Sequence, residues 1–180
     1  MKVGIIGSGG REHAICHALS NSKNIDQIFC FPGNAGTAQM AKNVDLNLED
    51  FINLKDFVLL NQIELIIVGP EKPLVEGIVD FLENHNIKVF GPNKIASQLE
   101  GSKIFTKNLC KKYNIPTAKF GIFTNKNDAN HFVEESKYPI VIKADGLASG
   151  KGVYICETQN EAKNAVGEIF EGKFGTAKNL

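Results

Sequence analysis

Lys2-Val3-Gly4-Ile5-Ile6-Gly7-Ser8-Gly9-Gly10-Arg11-Glu12-His13-Ala14 decides the fold of this chain. Residues 2–6 read as a buried strand, and the glycines at 7, 9 and 10 turn it into a helix over residues 11–19, where Ala14, Ile15, Ala18 and Leu19 recur at helical spacing. Strand, glycine turn and helix open a doubly wound α/β fold with a parallel sheet. Gly7 and Gly9 match the first two positions of a dinucleotide fingerprint, but Glu12 stands where its third glycine belongs. The next strand, residues 27–31, runs into Pro32-Gly33-Asn34, so the acid that would hold an adenosine ribose is also absent. What remains is a helix N-terminus suited to a phosphate, without the dinucleotide.

Outward from this stretch, Arg11 either clamps a phosphate oxygen at the helix mouth or is a solvated helix residue. His13 and His17 stand four apart, a spacing that can bind a metal, but no third ligand is evident and packing or a surface role is the better reading. Pro32-Gly33-Asn34-Ala35-Gly36-Thr37 is a second glycine-bearing loop, at the strand end where ligands bind in open α/β sheets; the competing reading is a tight turn. A helical segment is expected at residues 38–42, a short strand at 43–46 and an amphipathic helix at 48–60. Residues 64–68 form the clearest central strand and end in Gly69-Pro70-Glu71. A carboxylate there can accept hydrogen bonds from sugar hydroxyls or complement a helix dipole, and the two roles are compatible for Glu71. A helix over 74–84 and a strand over 87–90 complete the unit.

Further on, Ser102 is placed to cap a helix running to Tyr113, and Lys103 falls in its first turn. That is the wrong end for a cation, so a nearby bound anion explains Lys103 better than a solvated side chain does. Residues 114–117 read as a linker. Then follow a strand (119–123), a helix (128–136), a strand (138–143), a glycine-rich loop, a strand (153–156) and a helix (160–170); residues 172–180 are polar and aperiodic. The loop, Lys143-Ala144-Asp145-Gly146-Leu147-Ala148-Ser149-Gly150-Lys151-Gly152, brings Gly146, Gly150 and Gly152 close enough to an anion for backbone donors to act, with Lys143 and Lys151 at its ends. A Walker A loop is excluded, because three residues rather than four separate Gly146 from Gly150, Gly152 follows Lys151, and a strand rather than a helix comes next. The alternative is a glycine-rich hairpin with two solvated lysines.

The totals are those of a globular protein: 43% hydrophobic and 22% charged residues, with 20 basic and 20 acidic side chains that cancel. Nothing advertises a nucleic-acid or membrane partner. No signal peptide or long apolar segment is present, which leads to the expectation of a cytoplasmic protein. Cys16, Cys30, Cys110 and Cys156 lie without paired spacing and read as buried thiols rather than zinc ligands or disulfides. The expected organisation is residues 1–101 as a Rossmann-like domain, 102–118 as a linker helix and 119–180 as a smaller subdomain carrying the glycine loop.

Together these motifs resemble the glycinamide ribonucleotide synthetase family of ATP-grasp ligases. The matching stretches are residues 7–14, 32–37, 68–71 with 73–75, 90–92, 99–103 and 143–153, in the family's order across nearly all of the chain. The resemblance implies a pre-ATP-grasp, Rossmann-like domain followed by a small, truncated α+β ATP-grasp subdomain. It implies ATP-dependent ligation of glycine to 5-phosphoribosylamine through a phosphorylated glycine carboxylate. Gly9, Gly10, Arg11, Asn34, Gly36 and Thr37 would surround the phosphoribosyl substrate and Glu71 would take its ribose hydroxyls. Lys103, Lys143 and Lys151 would reach ATP phosphates beneath a flap of Gly146, Gly150 and Gly152.

Family members run to more than twice this length, so the resemblance also implies that the Mg2+ ligands, the glycine site and part of the adenine pocket lie in an absent carboxyl-terminal part. A complementary chain is one expected partner. Two other readings compete: a non-catalytic phosphoribosyl-binding or docking module with an exposed apolar face, and an NAD-linked oxidoreductase, which Glu12 and the missing ribose acid disfavour. A related purine-pathway ATP-grasp enzyme is a further alternative, against which the residue 9–13 and 32–37 stretches argue.

Overall fold

The structure is a computed structural model and describes residues 1–147, 151–174 and 179–180. It divides into two compact units, Met1–Ser97 and Gln98–Leu180.

In the first unit β1 (Lys2–Gly7), β2 (Gln27–Pro32), β3 (Lys42–Asn43), β4 (Leu65–Val68) and β5 (Val89–Phe90) form one parallel sheet in the order β3-β2-β1-β4-β5. Period-2 alternation sorts its side chains between two faces. Ile5, Ile28 and Cys30 pack with Cys16 of helix α1 (Gly10–Ser20). Ile6, Phe29 and Phe31 face the other way, against Leu54 and Val58 of α2 (Phe51–Leu60). Phe57 closes that side with edge-on ring contacts to Phe29 at 5.8 Å and Phe31 at 5.6 Å. Cover on both faces explains why the strands read as unbroken apolar runs.

Several expected elements differ here. The helix expected over 74–84 is two, α3 (Glu71–Glu76) and α4 (Ile78–Glu83), because Gly77 takes a left-handed conformation at φ +99° and ends the first. The helix expected from 48 begins at Phe51, where the Asp50 side chain caps the Asn53 N–H at 3.0 Å. The segment 38–42 gives a 3-10 turn, Thr37–Gln39, and the strand after it shrinks to β3.

A helix that sequence periodicity did not indicate, α5 (Lys94–Gly101), precedes α6 (Lys103–Lys112). In the second unit α7 (Lys126–Glu135) and α8 (Gln159–Phe170) cover one face of an antiparallel hairpin, β6 (Ile140–Lys143) with β7 (Val153–Cys156). Its core is built mostly from small residues, among them Ala129, Ala144, Ala162 and Ala165. The strand expected over 119–123 is not formed: the segment carries one ladder rung, Phe123 with Leu180, and a strand without a partner leaves its backbone groups to water. Among the described residues no helix is long and apolar enough to cross a membrane.

Candidate functional site

In the first unit the carboxyl ends of β1, β2 and β4 bring three loops together, and a buried acid organises two of them. Glu12, only 5% exposed, lies in the first turn of α1, where Oε2 accepts the Gly9 N–H at 2.6 Å. A methyl on Gly7 would lie 2.6 Å from Glu12 Cγ, and one on Gly69 would lie 2.0 Å from Oε1. Glu12 therefore occupies the space that glycine leaves on both strand ends. Sequence reading took this residue only as a departure from the dinucleotide pattern; the signal for its role was an acid three positions after a glycine N-cap.

Arg11 joins the same two strands. Its guanidinium donates to Gly69 O at 2.6 Å and to Glu71 Oε1 at 2.9 Å. The Glu71 carboxyl is held below the usual range, first by its own backbone N–H and then by Arg11, so it stands ionised at the start of α3. Asn34 ties the β1 and β2 loops: Oδ1 accepts the N–H groups of Gly36 and Thr37 at 2.8 and 3.0 Å, while Nδ2 donates to Ser8 O at 2.9 Å. Thr37 is fully buried, its hydroxyl accepting the Asn34 N–H and donating to Asn43 Oδ1, both at 2.8 Å. Gly36 lies against the His13 ring, where an added methyl would be 2.3 Å from Cε1. His13 is thus a packing residue beneath this loop. Gly10 has nothing within 4 Å of such a methyl and leaves an open mouth at the helix start.

The second unit has its own cluster. Ser102 caps α6 by accepting the Phe105 N–H at 3.0 Å and donates to Asp145 Oδ1 at 3.0 Å. Asp145 Oδ1 also accepts the Ile104 N–H at 3.1 Å, so the anion at this helix N-terminus belongs to the chain itself. The Lys103 ammonium donates to Gly146 O at 3.0 Å, which gives the cation at this unfavourable end an acceptor within the fold. Gly146 has φ +105°, a conformation that disfavours other residues.

Lys143 and Val153 pair across the hairpin on the exposed face that also holds Val141 and Ile155, and the Lys143 ammonium has no partner among the described residues. Gly152 is buried and accepts the Ala144 N–H at 2.8 Å; Lys151 is exposed. Gly150 lies outside the described residues. The structure thus gathers Gly9, Gly10, Arg11, Asn34, Gly36, Thr37 and Glu71 in one unit, and Lys103, Lys143, Gly146, Lys151 and Gly152 in the other. Ser102 caps α6 as its sequence position indicates, but its bond to Asp145 was missed, because an acid 43 residues away leaves no local pattern to find. Among the described residues no group of three or more His, Cys, Asp or Glu side chains could hold a metal ion.

Two family models match. Residues 1–100 fit the N domain of phosphoribosylglycinamide synthetase, and residues 101–180 fit its ATP-grasp (A) domain. A phosphoribosylamine–glycine ligase of Caldanaerobacter subterraneus is 52% identical over 166 residues, covering 92% of this chain and 40% of that protein. The crystal structure of a phosphoribosylamine–glycine ligase from Thermotoga maritima superposes with a TM-score of 0.77 at 34% identity, over 99% of this chain and 41% of that one. The biotin carboxylase domain of a Hydrogenobacter thermophilus 2-oxoglutarate carboxylase, solved with MgADP, ADP and bicarbonate, shares the fold with a TM-score of 0.75 at 24% identity, over 99% and 43% of the two chains. The chain spans about two fifths of the length of the curated relatives it matches.

Proposed function

The chain belongs to the phosphoribosylglycinamide synthetase family, and we propose that it forms the amino-terminal part of an ATP-dependent ligase that joins glycine to 5-phosphoribosylamine. The observation that carries this reading is the glycine-lined cluster at the ends of β1, β2 and β4, open at Gly10 and edged by Arg11 and an ionised Glu71. Such a cluster offers backbone donors and a cation to a phosphate, and an acceptor-only carboxylate to ribose hydroxyls.

In this reading Gly9, Gly10, Arg11 and Gly36 border the phosphoribosyl group, and Glu71 accepts from its hydroxyls. Asn34 and Thr37 act through the loop they hold, since their side-chain polar atoms are already bonded inside it. Lys103, Lys143, Gly146, Gly150, Lys151 and Gly152 serve ATP. The exposed apolar face of Val141, Val153 and Ile155, with Lys143 at its end, suits a base beside phosphate charge. When bound, ATP supplies the phosphoryl group that activates glycine's carboxylate; the residues of this chain bind, orient and exclude water. Among the described residues no group of three or more His, Cys, Asp or Glu side chains fits a magnesium ion, and in this reading its ligands come from the further polypeptide that the longer relatives carry.

Calorimetric titration of glycinamide ribonucleotide and of a non-hydrolysable ATP analogue into the 180-residue chain tests the assignment. Glu71→Ala should weaken the ribonucleotide by about 1.5–3 kcal/mol, the worth of a charge-assisted contact, and leave the analogue alone. Lys143→Ala should do the reverse. Unchanged affinities in both variants would overturn the site. ADP formation that needs glycine, 5-phosphoribosylamine and an added carboxyl-terminal part would establish the reaction.

A further inference from the structure

Within the unit Gln98–Leu180, Asp145 is held through both its side chain and its backbone. Its carboxylate accepts the Ser102 hydroxyl, shared between Oδ1 at 3.0 Å and Oδ2 at 3.1 Å, and Oδ1 also accepts the Ile104 N–H at 3.1 Å. Its own N–H donates to Asn179 O at 2.7 Å, while that of Ala144, fully buried beside it, donates to Gly152 O at 2.8 Å. The next residue, Gly146, turns at φ +105° and presents its carbonyl to the Lys103 ammonium at 3.0 Å. Lys103 stands in the chain between Ser102 and Ile104, the two residues that bind the carboxylate. Asp145 thus fixes both partners of the Lys103 contact, the helix start that carries the ammonium and the turn that carries its acceptor.

Charge gives this arrangement its use. Lys143 precedes Asp145 by two residues, and Lys103 is bonded to the residue after it. A carboxylate left free between two ammonium groups pairs with one of them. Here it is engaged instead at the first turn of α6, where a negative charge is favourable, and among the described residues neither lysine forms an ion pair. The Lys103 ammonium lies on a neutral carbonyl, which an anionic phosphate oxygen outcompetes. We propose that Asp145 is a positioning residue for Lys103. By bonding to Ser102 and Ile104 it seats the ammonium on Gly146 and withholds its own charge, so that the ammonium stays available to an anion. That this anion is a nucleotide phosphate rests on the proposed assignment of Lys103 to ATP.

Two readouts on the 180-residue chain keep the positioning role apart from the ATP assignment. The first needs no nucleotide: limiting acetic anhydride and peptide mass spectrometry give the acylation rate of Lys103 relative to that of Lys119, which is exposed. Asp145→Ala should raise that ratio about tenfold, the loss of one charge-assisted hydrogen bond. Asp145→Asn keeps an acceptor for both donors and should stay within about threefold of the wild type. The second readout is calorimetric affinity for a non-hydrolysable ATP analogue. Asp145→Ala should weaken it about tenfold and Asp145→Asn should restore it. In a Lys103→Ala background Asp145→Ala should add no further loss, because it acts through that ammonium; a residue that merely supports the fold would give losses that multiply. An unchanged Lys103 ratio in Asp145→Ala, an Asn variant as impaired as the Ala variant, or multiplying losses would each overturn the proposal. Should Asp145→Ala fail to fold, Ser102→Ala removes one donor and Ser102→Thr keeps it. A higher Lys103 ratio in the alanine variant alone supports the role, and equal ratios count against it. If the wild type does not bind the analogue, the ATP assignment falls and the acylation ratio settles the role of Asp145 by itself.

Discussion

The five-stranded unit and the hairpin unit bury their apolar side chains to very different extents. In the first, Val3, Ile5, Ile6, Cys30 and Phe31 of adjacent strands are all 0% exposed, because helices cover both faces of the sheet. In the second, the hairpin is covered on one face only, and Val141, Val153 and Ile155 stand 52%, 44% and 72% exposed on the other. Helix α6 buries no residue at all. The difference teaches where each unit's stability resides: in a closed apolar core in one, and in caps, a small-residue core and polar tethers in the other.

The largest expected effect breaks the closed core. Phe31→Ala removes a fully buried ring in edge contact with Phe57, and should cost about 3–5 kcal/mol in urea unfolding followed at the first unit. A loss below about 1 kcal/mol, ordinary for an arbitrary substitution, would show that this core is not the closed one described. Gly69→Ala comes next, since its methyl would meet Glu12 Oε1 at 2.0 Å. Overpacking of this kind costs about 1–3 kcal/mol. The cost should fall when Glu12 is also alanine, and a double-mutant cycle without coupling would mean that something other than Glu12 keeps residue 69 small.

Alkaline pH separates the buried thiols from ordinary ones. Burial, and then Cys16 beside it, pushes the Cys30 thiol from 9.0 up to about 12. The folded value lies above the unfolded one, so the contribution is complete below pH 9.0 and is lost as pH rises towards about 12. Stability should drop by about 1.4 kcal/mol per pH unit in that window, and Cys30→Ala should flatten the slope. In the second unit Ser102→Ala deletes the cap of α6 and a tether to Asp145, for about 1 kcal/mol. Thermal unfolding of the wild type and the variant measures it; no change would mean that α6 is held by packing after all.

The contrast also governs what could be read from the sequence. β1, β2 and β4 were legible because a strand buried on both faces must be apolar throughout, and the loops at their ends because Gly7, Gly33 and Gly36 interrupt those runs. The break at Gly77 and the missing strand at 119–123 were not legible. One depends on a left-handed residue inside an otherwise helical pattern, and the other on a partner strand that local sequence does not contain. At the candidate site the exposed glycines, Arg11 and Glu71 were found by their motif positions. The cap at Ser102 was legible too, but its tether to Asp145 spans 43 residues and Glu12 fills space that Gly7 and Gly69 leave empty, and such contacts have no period.

The smallest effect sharpens the comparison most, because it can be made within one hairpin. Ile142 on β6 is 5% exposed and faces α7 and α8; Ile155 on β7 is 72% exposed and faces away. Both are β-branched, so changing either to threonine keeps the strand preference and alters only what the side chain offers its surroundings. Ile155→Thr should stay within about 0.5 kcal/mol, as surface substitutions do, while Ile142→Thr should cost several times more by placing a hydroxyl in the small-residue core. Equal costs would require Ile155 to be covered in solution by something that binds this face, and light scattering across concentration would then tell whether that cover is a second copy of the chain. Unequal costs in the expected order leave the outer face as apolar surface held open at little expense to the fold, as the proposed nucleotide-binding role of that face requires.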